Sequence, residues 1–239
     1  NFPQPASEED PALMELTQVV TFFHEFGHLV HEFLSARQEW MDFSGIEAPE
    51  WDFIEAPSQM LEEWVMQPRV LRQFARHYQT QKPIPLDMIE RLRRVQDFGI
   101  ALSARVQGYY AALSFQYHDR NPFDDSFDLD DIEQELWRRY HIFDLIPDSH
   151  LHANFGHLCR YSAAYYTYLW SEVISRDLFS EFQGRDPLDQ ELCTRYRKSI
   201  LEPGASKDAA DLVQDFLGRP FSMEPFRQKL QGGSPDDDT

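Results

Sequence analysis

Apolar residues recur at three- and four-residue steps through most of the chain, and strict two-residue alternation is scarce. The pattern predicts an all-α fold with little or no sheet. The first helix is the strongest: Val19, Val20, Phe22, Phe23, Phe26, Leu29, Val30 and Phe33 form a wide stripe expected to be buried, with Thr17 as its N-cap. A second helix carries Ile54, Met60, Leu61, Trp64 and Val65 inward. Further helices are expected over 68–78, over 86–117 with a bend near Gly99, and over 129–140 capped by Asp128. A Tyr-rich helix is expected to run from Cys159 to about Phe182. Another follows Pro187, one runs from Ser206 as N-cap to Leu217, and a short last helix follows Ser222, with Gly232 beyond its end. Segments 38–50 and 143–157 are irregular and suit active-site loops. Residues 1–230 read as one domain. The stretch 231–239 is Gly, Ser, Pro and Asp, and is expected to be disordered.

The polar positions of the first helix change the picture. His24-Glu25-Phe26-Gly27-His28 puts two imidazoles at i and i+4, one above the other on one helix face. Both can reach one zinc ion, and Glu25 beside them can reach a metal-bound water without ligating the metal. Burying two His and a Glu without partners would cost several kcal/mol, and a metal removes that cost. His31 reads as a supporting or surface residue. Catalytic zinc takes a third protein ligand. Spacing alone does not choose among Glu47, Glu50, Glu55, Glu62 and Glu63; in the second helix, Asp52, Ser58 and Glu62 are placed to orient ligands by hydrogen bonds. Downstream, Tyr161, Tyr165 and Tyr168 at i, i+4 and i+7 form one stripe of phenols. Such stripes are usually core, but a buried phenol needs a partner, and beside zinc it can donate to an oxyanion. His150, His152 and His157 form a local histidine cluster that is weak as a second metal site.

Three segments carry a resemblance: Phe23-His24-Glu25-Phe26-Gly27-His28-Leu29-Val30-His31, then Phe43-Ser44-Gly45, then Asp52-Phe53-Ile54-Glu55-Ala56-Pro57-Ser58-Gln59. Together they resemble the catalytic core of the thimet oligopeptidase, neurolysin and oligopeptidase A family of zinc metallopeptidases. The segment from Phe155-Gly156-His157-Leu158 to Tyr168-Leu169-Trp170 is similar to the same family. The resemblance implies a mainly helical zincin-type domain with one Zn2+ held by His24, His28 and Glu55. It implies Glu25 as general base, and His157, Tyr165 and Tyr168 as catalytic contacts. It further implies that Tyr161, His157 and Gly45 bind substrate. Two departures stand out: the connection from Gly45 to Asp52 is longer than the family's, and Cys159-Arg160 stands where the family has paired glycines. Family members are far longer, so the chain resembles a C-terminal catalytic part whose missing N-terminal portion is an expected partner.

Composition narrows the class. A net charge of −19 disfavours nucleic acid as a partner, and no apolar run reaches the roughly 20 residues that span a bilayer. Two cysteines, Cys159 and Cys193, do not make a disulfide framework, and no signal peptide is visible, so a cytoplasmic setting is expected. The resulting expectation is a zinc oligopeptidase acting on internal bonds of short peptides. The alternative is a zinc-stabilised helical module that binds peptide without cleaving it.

Overall fold

The computed structural model describes residues 2, 4–45, 50–119, 121 and 127–232. Helices run over Leu16–Ser35 (α1), Glu55–Val65 (α2), Pro68–Phe74 (α3), Leu86–Asp97 (α4), Ile100–His118 (α5) and Leu129–Tyr140 (α6). They continue over Thr167–Ser180 (α7), Gln190–Tyr196 (α8), Ala209–Leu217 (α9) and Glu224–Leu230 (α10), with a π-helical turn at Arg197–Leu201 after α8. No strand occurs among the described residues beyond an isolated bridge between Arg76 and Pro83, so the fold is all-α. Of the tail expected to be disordered, 233–239 lie outside the described residues, as does the candidate Glu47.

Several boundaries differ from the periodicity, each for a local reason. Gly99 adopts a left-handed conformation (φ 77°), so the expected bent helix is two helices, α4 and α5. The helix expected to reach 78 stops at Phe74, because the chain turns back to pair Arg76 with Pro83. α1 starts at Leu16 with Glu15 as N-cap, whose N–H donates to Gln18 Oε1 at 2.8 Å; Thr17 lies inside the first turn. Asp208, not Ser206, precedes α9, and the Ala209 N–H donates to Glu50 Oε1 at 2.8 Å. Asp128 does cap α6, accepting from the Asp130 N–H. The Tyr-rich helix begins only at Thr167. Ser162 takes φ 45°, which breaks the α-helix, and 3-10 turns at Gly156–Cys159 and Ala164–Tyr166 precede it.

Two apolar clusters form the core. The larger joins α2, α7, α8 and α9 around Phe53, Met60, Trp64, Leu178, Ile200 and Phe216, with Trp64 ring-packed on Phe179 and Phe182 at 5.3 and 4.8 Å. The smaller joins α5 and α6 to the segment before α7 through Tyr109, Leu113, Ile132, Leu136, Phe155 and Tyr165. Helix α7 touches both: Trp170 packs against the first cluster and Tyr168 against the second.

Helix α1 lies mainly on α2, and α2 on α7. The face that α1 buries is rotated from the expected one. Gly27, His31 and Ser35 are its buried residues, while Phe22, Phe26 and Leu29 are nearly half exposed and Phe33 is 70% exposed. Phe23 and Val30 pack partly on the larger cluster. The polar stripe goes inward because Gly27 lets α2 approach: a Cβ there would sit 2.6 Å from Ser58 Cα and 3.3 Å from the Pro57 carbonyl oxygen. The His31 ring is thus neither at the surface nor hydrogen-bonded. It is fully buried with both ring nitrogens unpartnered, and burial, aided by His28, lowers its pKa to about 4.

Since the obstacle at Gly27 is backbone, Gly27→Ala must push α1 and α2 apart. The expected cost is ~1–3 kcal/mol of stability, together with weaker retention of any metal ion held by His24, His28 and Glu55. Denaturant unfolding and metal content measured on the same preparation check this; native stability with full metal content would refute the close-approach argument.

Candidate active site

The i, i+4 spacing on α1 brings the His24 and His28 rings to 4.8 Å, nearly perpendicular. Glu55 opens α2 and is buried, and one of its oxygens meets both imidazoles: Oε2 lies 3.1 Å from His24 Nε2 and 3.2 Å from His28 Nε2. The Ser58 hydroxyl donates to the same oxygen at 3.1 Å. On the far side of the His24 ring, Nδ1 is 2.7 Å from Glu62 Oε1. Of the other acidic candidates, Glu50 caps α9 and Glu63 pairs with Arg176 at 2.8 Å. Asp52, expected to orient a ligand, instead accepts from the Tyr166 hydroxyl at 3.0 Å.

The three ligand atoms of His24, His28 and Glu55 lie within 4.8 Å of one another. Atoms bound tetrahedrally to zinc at ~2.0–2.1 Å lie roughly 3.3 Å apart, so the Glu55 contacts at 3.1 and 3.2 Å fit a shared ion. Two imidazoles and a carboxylate, with a second carboxylate on the outer nitrogen of one imidazole, are a zinc donor set. These groups act strongly on one another's charge. Burial opposes a charge on His24, yet Glu55 and Glu62 overcome it and raise its pKa to about 10. Burial likewise opposes charge on Glu55, and the two histidines hold it down at about 2. Glu25 is exposed and lies outside this cluster, next to His24 in the chain.

The second group forms on the segment leading into α7. His157 has ring centroids 5.4 Å from Tyr161, 5.0 Å from Tyr165 and 5.7 Å from Tyr168. The three tyrosines do not share one helix, as expected, but they still cluster, with Tyr168 6.0 Å from Tyr161 and 5.0 Å from Tyr165. The Tyr165 hydroxyl donates to Gln107 Oε1 at 3.1 Å, and burial pushes its pKa up to about 12. Burial, a hydrogen bond with Tyr161 and the charge of Glu55 raise Tyr168 well above an ordinary phenol. These phenols stay protonated at neutral pH and therefore remain donors. The influence of Glu55 on Tyr168 also ties this group to the metal-ligand cluster. Gly45 takes φ 85°, and its N–H donates to Ser35 Oγ at 2.9 Å. His150 and His152 do not join His157; they gather around Asp130.

The sequence matches the model of peptidase family M3 over residues 1–232. The chain belongs to that family. It is 32% identical over 230 residues to the mitochondrial intermediate peptidase of Pongo abelii, covering 96% of this chain and 32% of the relative. It is 32% identical to saccharolysin of Saccharomyces cerevisiae over 233 residues, covering 94% of this chain and 32% of that protein. Oligopeptidase A of Escherichia coli is 31% identical over 231 residues, with 92% and 32% covered. The chain thus spans about a third of the length of the curated relatives it matches. Among the described residues no helix is long and apolar enough to cross a membrane.

Sequence reasoning missed what holds this M3 site together. Trp51 O accepts from the Thr167 hydroxyl at 2.6 Å, and Asp52 O from the Ser171 hydroxyl at 2.9 Å. The Gln59 amide donates to Tyr168 O at 3.0 Å. These bonds lash the start of α2, and so Glu55, to the start of α7. Isolated Ser, Thr and Gln carry no chemical motif, so only the tertiary fold reveals them.

Glu62→Gln should keep the fold but weaken the orientation of His24. Losing such an outer partner typically lowers metal affinity 10–100-fold. Chelator competition against the parent chain measures it, and unchanged affinity would remove Glu62 from the site.

Proposed function

We propose that the chain supplies the zinc-dependent catalytic part of an oligopeptidase hydrolysing internal bonds of short peptides. The observation that carries this is the convergence of both His Nε2 atoms on one Glu55 oxygen, beside Glu25 and a cluster of protonated phenols. Membership of family M3 supports a metallopeptidase over a peptide-binding module. The oligopeptidase and zinc assignments rest on the donor set and on the relatives' names.

In this reading His24, His28 and Glu55 hold Zn2+. When bound, zinc supplies a Lewis acid that acidifies water to a pKa near ~7 and polarises the scissile carbonyl. Glu25, exposed and free of partners among the described residues, takes the water's proton and passes it to the leaving amine. Tyr168, and Tyr165 once its hydroxyl turns from Gln107 Oε1, donate hydrogen bonds to the oxyanion that develops on the carbonyl, with His157 assisting. Tyr161 holds the substrate and, through its hydrogen bond, orients Tyr168. Gly45 contributes to substrate binding through its carbonyl, its N–H being engaged by Ser35.

The expected partner is a further N-terminal portion of the same protein. The exposed row Phe22, Phe26, Leu29 and Phe33 on the metal helix supports it, because exposed apolar patches of this kind mark surfaces awaiting a cover. Short peptides remain the proposed substrates. Several relatives are named for the mitochondrion, so kinship adds nothing to the cytoplasmic expectation.

Glu25→Gln is expected to retain stoichiometric zinc and lose peptide hydrolysis. Tyr168→Phe should lower kcat by ~10²–10³, the usual cost of one oxyanion donor. A quenched fluorescent peptide assay with metal analysis reads both, run on the chain together with its N-terminal portion. Full turnover by the Glu25 variant would overturn the general-base role.

A further inference from the structure

A second group of side chains among the described residues can meet one ion: Asp130, His150 and His152, whose ligand atoms also lie within 4.8 Å of one another. None of them belongs to the site described above. Asp130 stands in the first turn of α6, and the two histidines come from the loop that leads to His157. His150 Nδ1 is 2.9 Å from Asp130 Oδ2, and His152 Nδ1 is 3.4 Å from Asp130 Oδ1.

A simple ion pair leaves this arrangement incomplete. His150 already takes the Asp130 carboxylate as its partner, whereas His152 Nδ1 is buried and makes no hydrogen bond. Both nitrogens nonetheless face the same carboxylate, so a cation between them would satisfy all three groups. The loop is also held in shape. The N–H of Leu151, between the two histidines, donates at 3.0 Å to Glu133 Oε2, and Glu133 is almost wholly buried. A fixed backbone with two imidazoles on one carboxylate is pre-organised for ligation.

We propose that Asp130, His150 and His152 form a second metal site, distinct from the His24–His28–Glu55 centre, for a borderline divalent cation of the zinc class. The donors decide the class: two imidazole nitrogens and one carboxylate oxygen suit Zn2+, Co2+, Ni2+ or Cu2+, whereas Mg2+ and Ca2+ favour all-oxygen shells. The site is partly open, with His150 about half exposed, so water completes the coordination and affinity is lower than at a closed structural centre. A bound ion would cross-link the loop before His157 to α6.

The test is zinc titration of the full chain by calorimetry, with bound metal counted after desalting. Two classes of site are expected in the parent. The double variant His150→Ala, His152→Ala should retain the tighter class, and its weaker class should lose at least ~10-fold in affinity, the lower end of what even outer-shell losses cost. Helical circular dichroism checks that the variant is folded; if it is not, Asp130→Asn makes the same comparison with a near-isosteric change. A single class in the parent, or two undiminished classes in a folded variant, overturns the proposal. Mg2+ competing as well as Zn2+ for the weaker class would overturn the assigned cation class.

Discussion

The constraint on which the candidate site depends is the contact of α1 with α2 at Gly27. Without a side chain there, the backbone at Pro57 and Ser58 comes against α1, where any Cβ would collide. That approach sets the height of α2 along α1, and Glu55, three residues before Ser58, arrives level with His24 and His28. The same four-residue stripe continues as His31 and Ser35, both fully buried. Ser35 then uses its hydroxyl twice: it donates to His31 O at 2.8 Å and accepts from the Gly45 N–H at 2.9 Å. One helix face therefore carries the candidate metal ligands, the close packing and the anchor of the following loop. The cost is that large apolar residues on the other side of α1 stay exposed.

How much of this is legible in the sequence depends on the range of the interaction. The His24–His28 pair follows from helix geometry alone, since i and i+4 always share a face. The Asp128 cap and the helix starting after Ser222 are local in the same way. Glu55 is not local: its position relative to the histidines comes from the docking of two helices, and spacing left it one of five. Glu62 and Ser58 were read as supports because they share a helix with Glu55. Asp52 lies before that helix, and its carboxylate turns to Tyr166 instead. The buried face of α1 is rotated from the expected one for a plain physical reason. Periodicity assumes that an apolar stripe meets this chain's own core, whereas Gly27 directs the opposite stripe inward.

The breaks in helical pattern show the same limit. Gly99 was visible as a weak point, but whether it bends or divides a helix depends on its φ, and φ 77° divides it. Ser162 gave no signal, because a left-handed serine is rare and depends on its surroundings. Its carbonyl accepts a hydrogen bond from the hydroxyl of Ser114 in α5, a partner 48 residues away. The phenols nonetheless converge, since a turn and a helix start can gather side chains as well as a continuous helix can.

The stretch before α7 explains how the two halves of the candidate site are held relative to each other. It is tied to α6 through Leu151 and Glu133, to α5 through Ser162 and Ser114, and to the start of α2 through Thr167 and Trp51. Its rings belong to the smaller cluster, whereas the ligands on α1 and α2 sit against the larger one. The separation between the proposed metal ligands and the proposed oxyanion donors is therefore set where α7 joins the clusters, at the bonds of Thr167, Ser171 and Gln59. Three anchors along its length thus tie this stretch to three different helical segments.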